Sequence, residues 1–166
     1  ILISLKDIKN NILKKENFYF LTIILITFFL DRFSKIFVLD NFSEETFFVN
    51  RFLNIDLVWN TGIGFGFFST DSEIFYMMTS LLIFLVIIFL IYLSFSSSKI
   101  DKLVFSFIIG GALGNFYDRI NLMAVPDFID LHYNSFHWFT FNVADIFITL
   151  GILTFLTLEF FIKRDK

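Results

Sequence analysis

Charged and amide side chains interrupt otherwise apolar runs of this 166-residue sequence, and they fall in three groups. Asp31 and Lys35 are four apart, Asn115, Asp118 and Arg119 follow an i, i+3, i+4 spacing, and Asn142 and Asp145 are three apart. Each group therefore occupies one face of a helix. A charge inside an apolar span is costly, so each of these residues is a functional candidate. Between the second and third groups the chain adds Asp127 and Asp130, then His132 and His137. Asp127 and Asp145 lie on one short connection and the helix it enters, which lets the two carboxylates meet. Two carboxylates in contact do not both ionise easily and share one proton. One can then serve as general base on a water and the other as general acid on a carbonyl. Spacing alone does not single out this pair among the acids present.

The elements that must position these groups follow from composition. Of all residues 57% are hydrophobic and 17% are charged, against about 25% charged in a soluble domain. Mean hydropathy is +0.77. Four runs, at about 18–39, 74–95, 103–123 and 141–162, are long enough to cross a hydrocarbon layer of about 30 Å. Helices are the form in which such runs satisfy their backbone amides in lipid. The expected fold is an all-α membrane protein of four transmembrane helices with a small β-rich extracytoplasmic platform, one domain over residues 1–166. The first run ends in Asp31, Arg32 and Lys35 with no small-residue cleavage site, unlike a secretory signal peptide.

Basic residues set the orientation. Lys6, Lys9, Lys14 and Lys15 precede the first run, Lys99 and Lys102 separate the second from the third, and Lys163, Arg164 and Lys166 follow the fourth. These segments share one side, which places both termini in the cytoplasm. Odd helices then run outward and even ones inward, so all three polar groups lie at one depth near the outer surface. The first outer loop, about 40–73, is rich in β-formers from Thr46 to Trp59 and predicts a small sheet. It closes on a glycine-rich segment, Asn60 to Gly66. The second outer loop, about 124–140, is short and polar-aromatic. Ser4 with Asp7, then Leu5, Ile8 and Ile12, suggest a short helix lying on the inner membrane surface.

Several classes are excluded or set aside. Without Cys there is no disulfide framework, thiol nucleophile or Cys-ligated zinc. A net charge of −3 with no basic tract argues against a nucleic-acid partner. His132 and His137 beside Asp127 and Asp130 are plausible metal ligands by type, but loop histidines at a membrane surface are more often solvated, and no metal is expected. Gly110, Gly111 and Gly114 are read as helix packing. Trp59 and Trp138 are read as interfacial anchors. The competing class is a small transporter or assembly subunit, which would more often hold its acids near the midplane or break paired helices with Gly or Pro.

Five segments resemble one family. Asp31-Arg32-Phe33-Ser34-Lys35 looks like its Asp-x-x-Thr-Lys motif, and Asn60 to Gly66 looks like its Asn-x-Gly-Ala-x-Phe-Gly loop. Gly110 to Arg119 matches Gly-Gly-Ala-x-Gly-Asn-x-x-Asp-Arg. Val125-Pro126-Asp127-Phe128 resembles Val-Val-Asp-Phe, and Phe141-Asn142-Val143-Ala144-Asp145 matches Phe-Asn-x-Ala-Asp. In order and spacing, over nearly the whole chain, this is similar to lipoprotein signal peptidase (signal peptidase II). The resemblance implies an intramembrane aspartic endopeptidase of the bacterial inner membrane, with no cofactor, that cuts diacylated prolipoproteins before the lipid-modified Cys. It implies a dyad of Asp127 and Asp145, with Asn60, Gly66, Asn115, Arg119 and Asn142 lining the site and Asp31, Lys35 and Asp118 supporting it. The expected partners are that substrate and membrane lipids, with the chain a monomer. Three positions depart from the pattern: Ser34 for Thr, Gly64 for a small apolar residue, and Pro126 directly before Asp127, where a fixed φ and a missing N–H could re-aim the carboxylate.

Overall fold

The structure, a computed structural model, describes residues 15–62 and 73–162. The expected surface helix around Ser4 to Ile12, and Gly64 and Gly66 of the glycine-rich segment, lie outside the described residues.

Among the described residues four long helices form where the apolar runs lie. They are α1 (Lys15–Asn41), α2 (Glu73–Ser94), α3 (Lys99–Leu122) and α4 (Val143–Thr157), the last continued by one π-helical turn, Leu158–Ile162. Their ends fall within about one turn of the ends expected from hydropathy. Ser98 caps α3, its hydroxyl accepting from Asp101 N at 3.2 Å. Asn142 caps α4 in a reciprocal capping box with Asp145, which satisfies two backbone donors that would otherwise be orphaned. By length and hydropathy α2 and the stretch 143–161 are suited to cross a membrane, with mean hydropathies of 2.8 and 1.9. The other two helices are as long but carry Asp31, Arg32 and Lys35, or Asp118 and Arg119.

Burial is inverted relative to a water-soluble fold. The largest fully buried side chains include Arg119, Lys35, Asp31, Asp118, Asp127 and Asn142. Phe29, Phe33 and Phe37 on α1 and Leu82, Leu85 and Phe89 on α2 are exposed. Large exposed apolar faces mark contact with an apolar medium or partner. The apolar core is small, with Ile87, Val104, Phe105, Ile108 and Ile109 at its centre.

Helix α3 packs against each of the other three helices, and its glycines make the approach close. A Cβ on Gly111 would lie 2.7 Å from the backbone oxygen of Ala144 in α4, and one on Gly114 would collide with the carboxylate of Asp31 in α1. The small-residue spacing is therefore packing, as expected.

The sheet is larger than expected. Strands β1 (Phe47–Asn50) and β2 (Leu53–Asn60) fall in the first loop as anticipated. The second loop contributes two more, β3 (Val125–Tyr133) and β4 (Phe136–Phe141), in an antiparallel order β1-β2-β3-β4. In β3 residues Val125 to Phe128 are all buried, and from Ile129 to Tyr133 the apolar/polar alternation is inverted, with polar Asp130 and His132 buried and apolar Ile129, Leu131 and Tyr133 more exposed. Asn134, at φ 53°, turns β3 into β4, a conformation Asn tolerates better than most residues. Pro126 pairs with Trp59 of β2, while pairing with β4 begins only at Ile129. The strand therefore has a neighbour on one side only at Pro126, where a missing N–H is tolerated.

Candidate active site

Asp127 enters the site from β3, and Asp145 from the first turn of α4. Both are buried. Asn142 touches both. Its side-chain amide donates to Asp127 Oδ1 at 2.5 Å, and its backbone N–H donates to Asp145 Oδ2 at 3.2 Å. The other oxygen of Asp127 accepts from Asn60 Nδ2 at 2.8 Å, and the other oxygen of Asp145 accepts from Asn115 Nδ2 at 2.8 Å. Four segments thus meet on two carboxylates: the end of β2, β3, α3 and the start of α4. Pro126 has not turned Asp127 away from this cluster.

Asparagine suits these positions. Its amide donates to a carboxylate in either protonation state without adding charge. A lysine or arginine in direct contact would stabilise the ionised form and abolish proton sharing. Burial, and next the negative charge of Asp145, push the Asp127 carboxyl up to about 7, against the opposing hydrogen bonds from Asn60 and Asn142 and the charge of Lys35. Asp127 therefore keeps its proton to near neutral pH.

Behind the amides lies a ring of buried charge. Lys35 Nζ lies 2.7 Å from Asp31 Oδ2 and 2.7 Å from Asp118 Oδ2, and it donates to Asn115 Oδ1 at 2.8 Å. Asp31 Oδ1 accepts from the Ala144 N–H at 2.9 Å. Lys35 thus orients the Asn115 amide that faces Asp145, and Asp31 fixes the first turn of α4. Breaking such a pair by removing one partner costs about 3–5 kcal/mol, because the remaining charge is left buried.

Arg119 ties the site to the outer loop. It donates to the backbone oxygens of Gly62 at 2.7 Å and Asn115 at 3.1 Å. The Gly62 N–H in turn donates to Asn60 Oδ1 at 2.8 Å. The position of the Asn60 amide on Asp127 is therefore coupled to Arg119 through one loop residue.

Of the residues singled out in the sequence, Asp127, Asp145, Asn60, Asn115, Asn142, Arg119, Asp31, Lys35 and Asp118 converge in this one network. Gly66 lies outside the described residues. Asp130 does not join them. It contacts His137 Nδ1 at 2.8 Å and accepts from Asn54 at 3.2 Å, within the sheet. Among the described residues no group of three or more His, Asp or Glu side chains could hold a metal ion.

Sequence reasoning missed Arg32, which pairs with Asp118 and lies over the Tyr117 ring at 4.7 Å. Its signal was a third charge in an apolar run. It also missed Tyr76 of α2, whose hydroxyl donates to the Arg119 backbone oxygen at 3.0 Å. A tyrosine in an apolar helix gives no comparable signal.

An apolar cleft of about 580 Å³ between α2, α3 and α4 leads to this cluster. Leu82, Val86 and Ile152 line it together with the polar Asn115, Arg119 and Asp145.

Comparison with known proteins agrees with the geometry. A family model described as signal peptidase (SPase) II matches residues 23–161. The chain is similar to a lipoprotein signal peptidase of Pelagibacter ubique, with 46% identity over 94% of this chain and 96% of the relative. A lipoprotein signal peptidase of Anaplasma marginale is 39% identical over 82% of this chain and 81% of its own. In three dimensions the chain resembles two solved structures, each described as a bacterial membrane enzyme. One has a TM-score of 0.69 at 25% identity, covering 87% of this chain and 94% of that one. The other has a TM-score of 0.66 at 26% identity, covering 89% and 93%. With its family model and its relatives matching across almost all of its length, the chain belongs to the signal peptidase II family.

Proposed function

We propose that this membrane protein removes the signal peptide from diacylated prolipoproteins, cutting before the lipid-modified Cys, with Asp127 and Asp145 as its catalytic dyad. The observation that carries the reading is the pair of buried carboxylates joined through Asn142, one of which, Asp145, lines an apolar cleft. An apolar signal-peptide segment fits the cleft, and the peptide bond beyond it then reaches the two acids.

In the resting dyad one proton is shared, and the raised Asp127 carboxyl holds it. Ionised Asp145 accepts a proton from water as the water oxygen attacks the scissile carbonyl carbon. Asp127 gives its proton to the carbonyl oxygen, forming a gem-diol. Asp145 then returns its proton to the amide nitrogen as the C–N bond breaks, and a diol hydroxyl returns a proton to Asp127. The products are a signal peptide with a new carboxyl group and a lipoprotein with a free cysteine amine. Asn60, Asn115 and Asn142 hold the carboxylates in place throughout. Lys35, Asp31 and Asp118 hold the amides.

All four helices cross the bilayer in this reading. The inverted burial supports it, since exposed Phe and Leu side chains surround a charged interior. Both termini are cytoplasmic in this reading, which the basic residues before the first helix, between the second and third and after the fourth support. The dyad and the sheet then lie at the outer leaflet of the bacterial inner membrane.

The test is cleavage of a purified prolipoprotein, diacylated or unmodified, followed by gel shift and mass of the new amino terminus. The expected product begins at the lipid-modified Cys and forms only from the diacylated form. Cleavage at another site, or equal cleavage of both forms, would overturn the substrate assignment. Absence of cleavage by the folded protein would overturn the peptidase reading itself.

A further inference from the structure

The end of the bundle remote from the aspartates carries a second built feature. Two apolar clefts there share Phe20 as a wall. One, of about 330 Å³, lies between α1, α2 and α3 and is lined by Leu21, Ile24, Ile91 and Ile109. The other, of about 360 Å³, is lined by Tyr19, Ile100 and Leu103. Each has a lysine on its rim: Lys102 with Asn17 on the first, Lys99 on the second. Lys102 Nζ lies 3.4 Å from Asn17 Oδ1 and 6.0 Å from the Phe20 ring centroid.

The two lysines are three apart at the start of α3, so they share a face, and like charges so placed repel. Asp101 lies between them in sequence and is buried, its carboxylate accepting from Ser98 Oγ at 2.9 Å. Two neighbouring apolar clefts beneath two cations match a molecule with two hydrocarbon chains and one negative head group. Lysines beside a membrane surface attract anionic lipid in this way.

We propose that the two clefts hold one diacyl anionic phospholipid of the leaflet into which these helix ends open, one chain on each side of Phe20 and the phosphate between Lys99 and Lys102. The assignment rests on the transmembrane reading above. It is independent of the dyad, because neither lysine belongs to the site network. By the orientation argued above, that leaflet is the cytoplasmic one.

The experiment takes the full chain in detergent, strips its lipid, and titrates it with phosphatidylglycerol or phosphatidylcholine while native mass spectrometry counts bound lipids. One phosphatidylglycerol per chain should be retained, at a concentration on the order of tenfold below that needed for phosphatidylcholine. The double substitution Lys99→Gln, Lys102→Gln should abolish that preference. Leu21→Trp, which keeps both charges but fills the first cleft, should weaken binding of both lipids. Prolipoprotein cleavage, assayed on the same samples, should be unchanged by the lysine substitutions, so failure of the lipid site and failure of the peptidase reading give different results. Equal retention of the two lipids, an unchanged preference in the double variant, or unchanged binding in Leu21→Trp would each overturn the proposal.

Discussion

The side-chain amide of Asn142 donates to Asp127 Oδ1 at 2.5 Å, while the same residue caps the helix that carries Asp145. One asparagine therefore sets both the local fold of α4 and the spacing of two acids that come from different elements.

Asn142→Ala should separate these two duties. Loss of the cap costs about 1 kcal/mol, a fall of a few degrees in Tm. Loss of the amide on Asp127 should lower kcat by about 100-fold, the scale of a single misplaced catalytic group. Measuring kcat and KM beside Tm checks both. An unchanged kcat would remove Asn142 from the positioning of the dyad.

The raised carboxyl of Asp127 predicts how stability and rate depend on pH. Its folded value of about 7 lies above the ordinary 3.8. Between those values the folded state binds more protons than the unfolded state, so stability from this group falls as pH rises from about 4 to about 7. Above that it is level. Asp127→Asn should remove the slope, as read by thermal unfolding across that range. The folded protein loses this proton only near the upper end of that window, at about 7, so kcat/KM should decline on the alkaline side of about 7.

Lys35 neutralises two buried acids, Asp31 and Asp118, at 2.7 Å each. Lys35→Met should cost about 3–5 kcal/mol by leaving them with too little positive charge. Lys35→Met combined with Asp31→Asn should recover part of that loss. Denaturation of the single and double variants in one detergent measures the coupling, and strictly additive losses would contradict the network.

Gly111 and Gly114 differ in what opposes them. Gly111→Ala meets the α4 backbone at Ala144, which cannot rotate away, whereas Gly114→Ala meets the Asp31 side chain. Overpacking costs about 1–3 kcal/mol. Gly111→Ala should lower Tm more, and Gly114→Ala should lower kcat more through Asp31 and the start of α4. A reversed order would place these contacts wrongly.

The helices were legible in the sequence because 20-residue apolar runs admit little else in lipid. The common depth of Lys35, Asn115 and Asp145 was legible too, and the structure turns it into a chain of contacts from Lys35 through Asn115 to Asp145. The sheet was half legible. β1 and β2 carry runs of Phe, Val and Ile, but β3 holds Pro126, two aspartates and a histidine, and its buried face carries the polar Asp130 and His132, the reverse of the usual strand pattern. Asp31 and Lys35 satisfy each other at helical spacing, so Arg32 between them carries no sequence signal of a partner. Its partner Asp118 lies 86 residues away, a relationship that no local pattern encodes.

The most direct test of the central claim replaces each aspartate by asparagine, which keeps shape and burial. Asp127→Asn and Asp145→Asn proteins, shown to be folded by thermal unfolding, are given a diacylated prolipoprotein beside the wild type. The account predicts cleavage by the wild type and a loss of about 10⁴-fold or more in both variants, the scale seen when a coupled catalytic group is removed. Cleavage at near wild-type rates by either folded variant would contradict it.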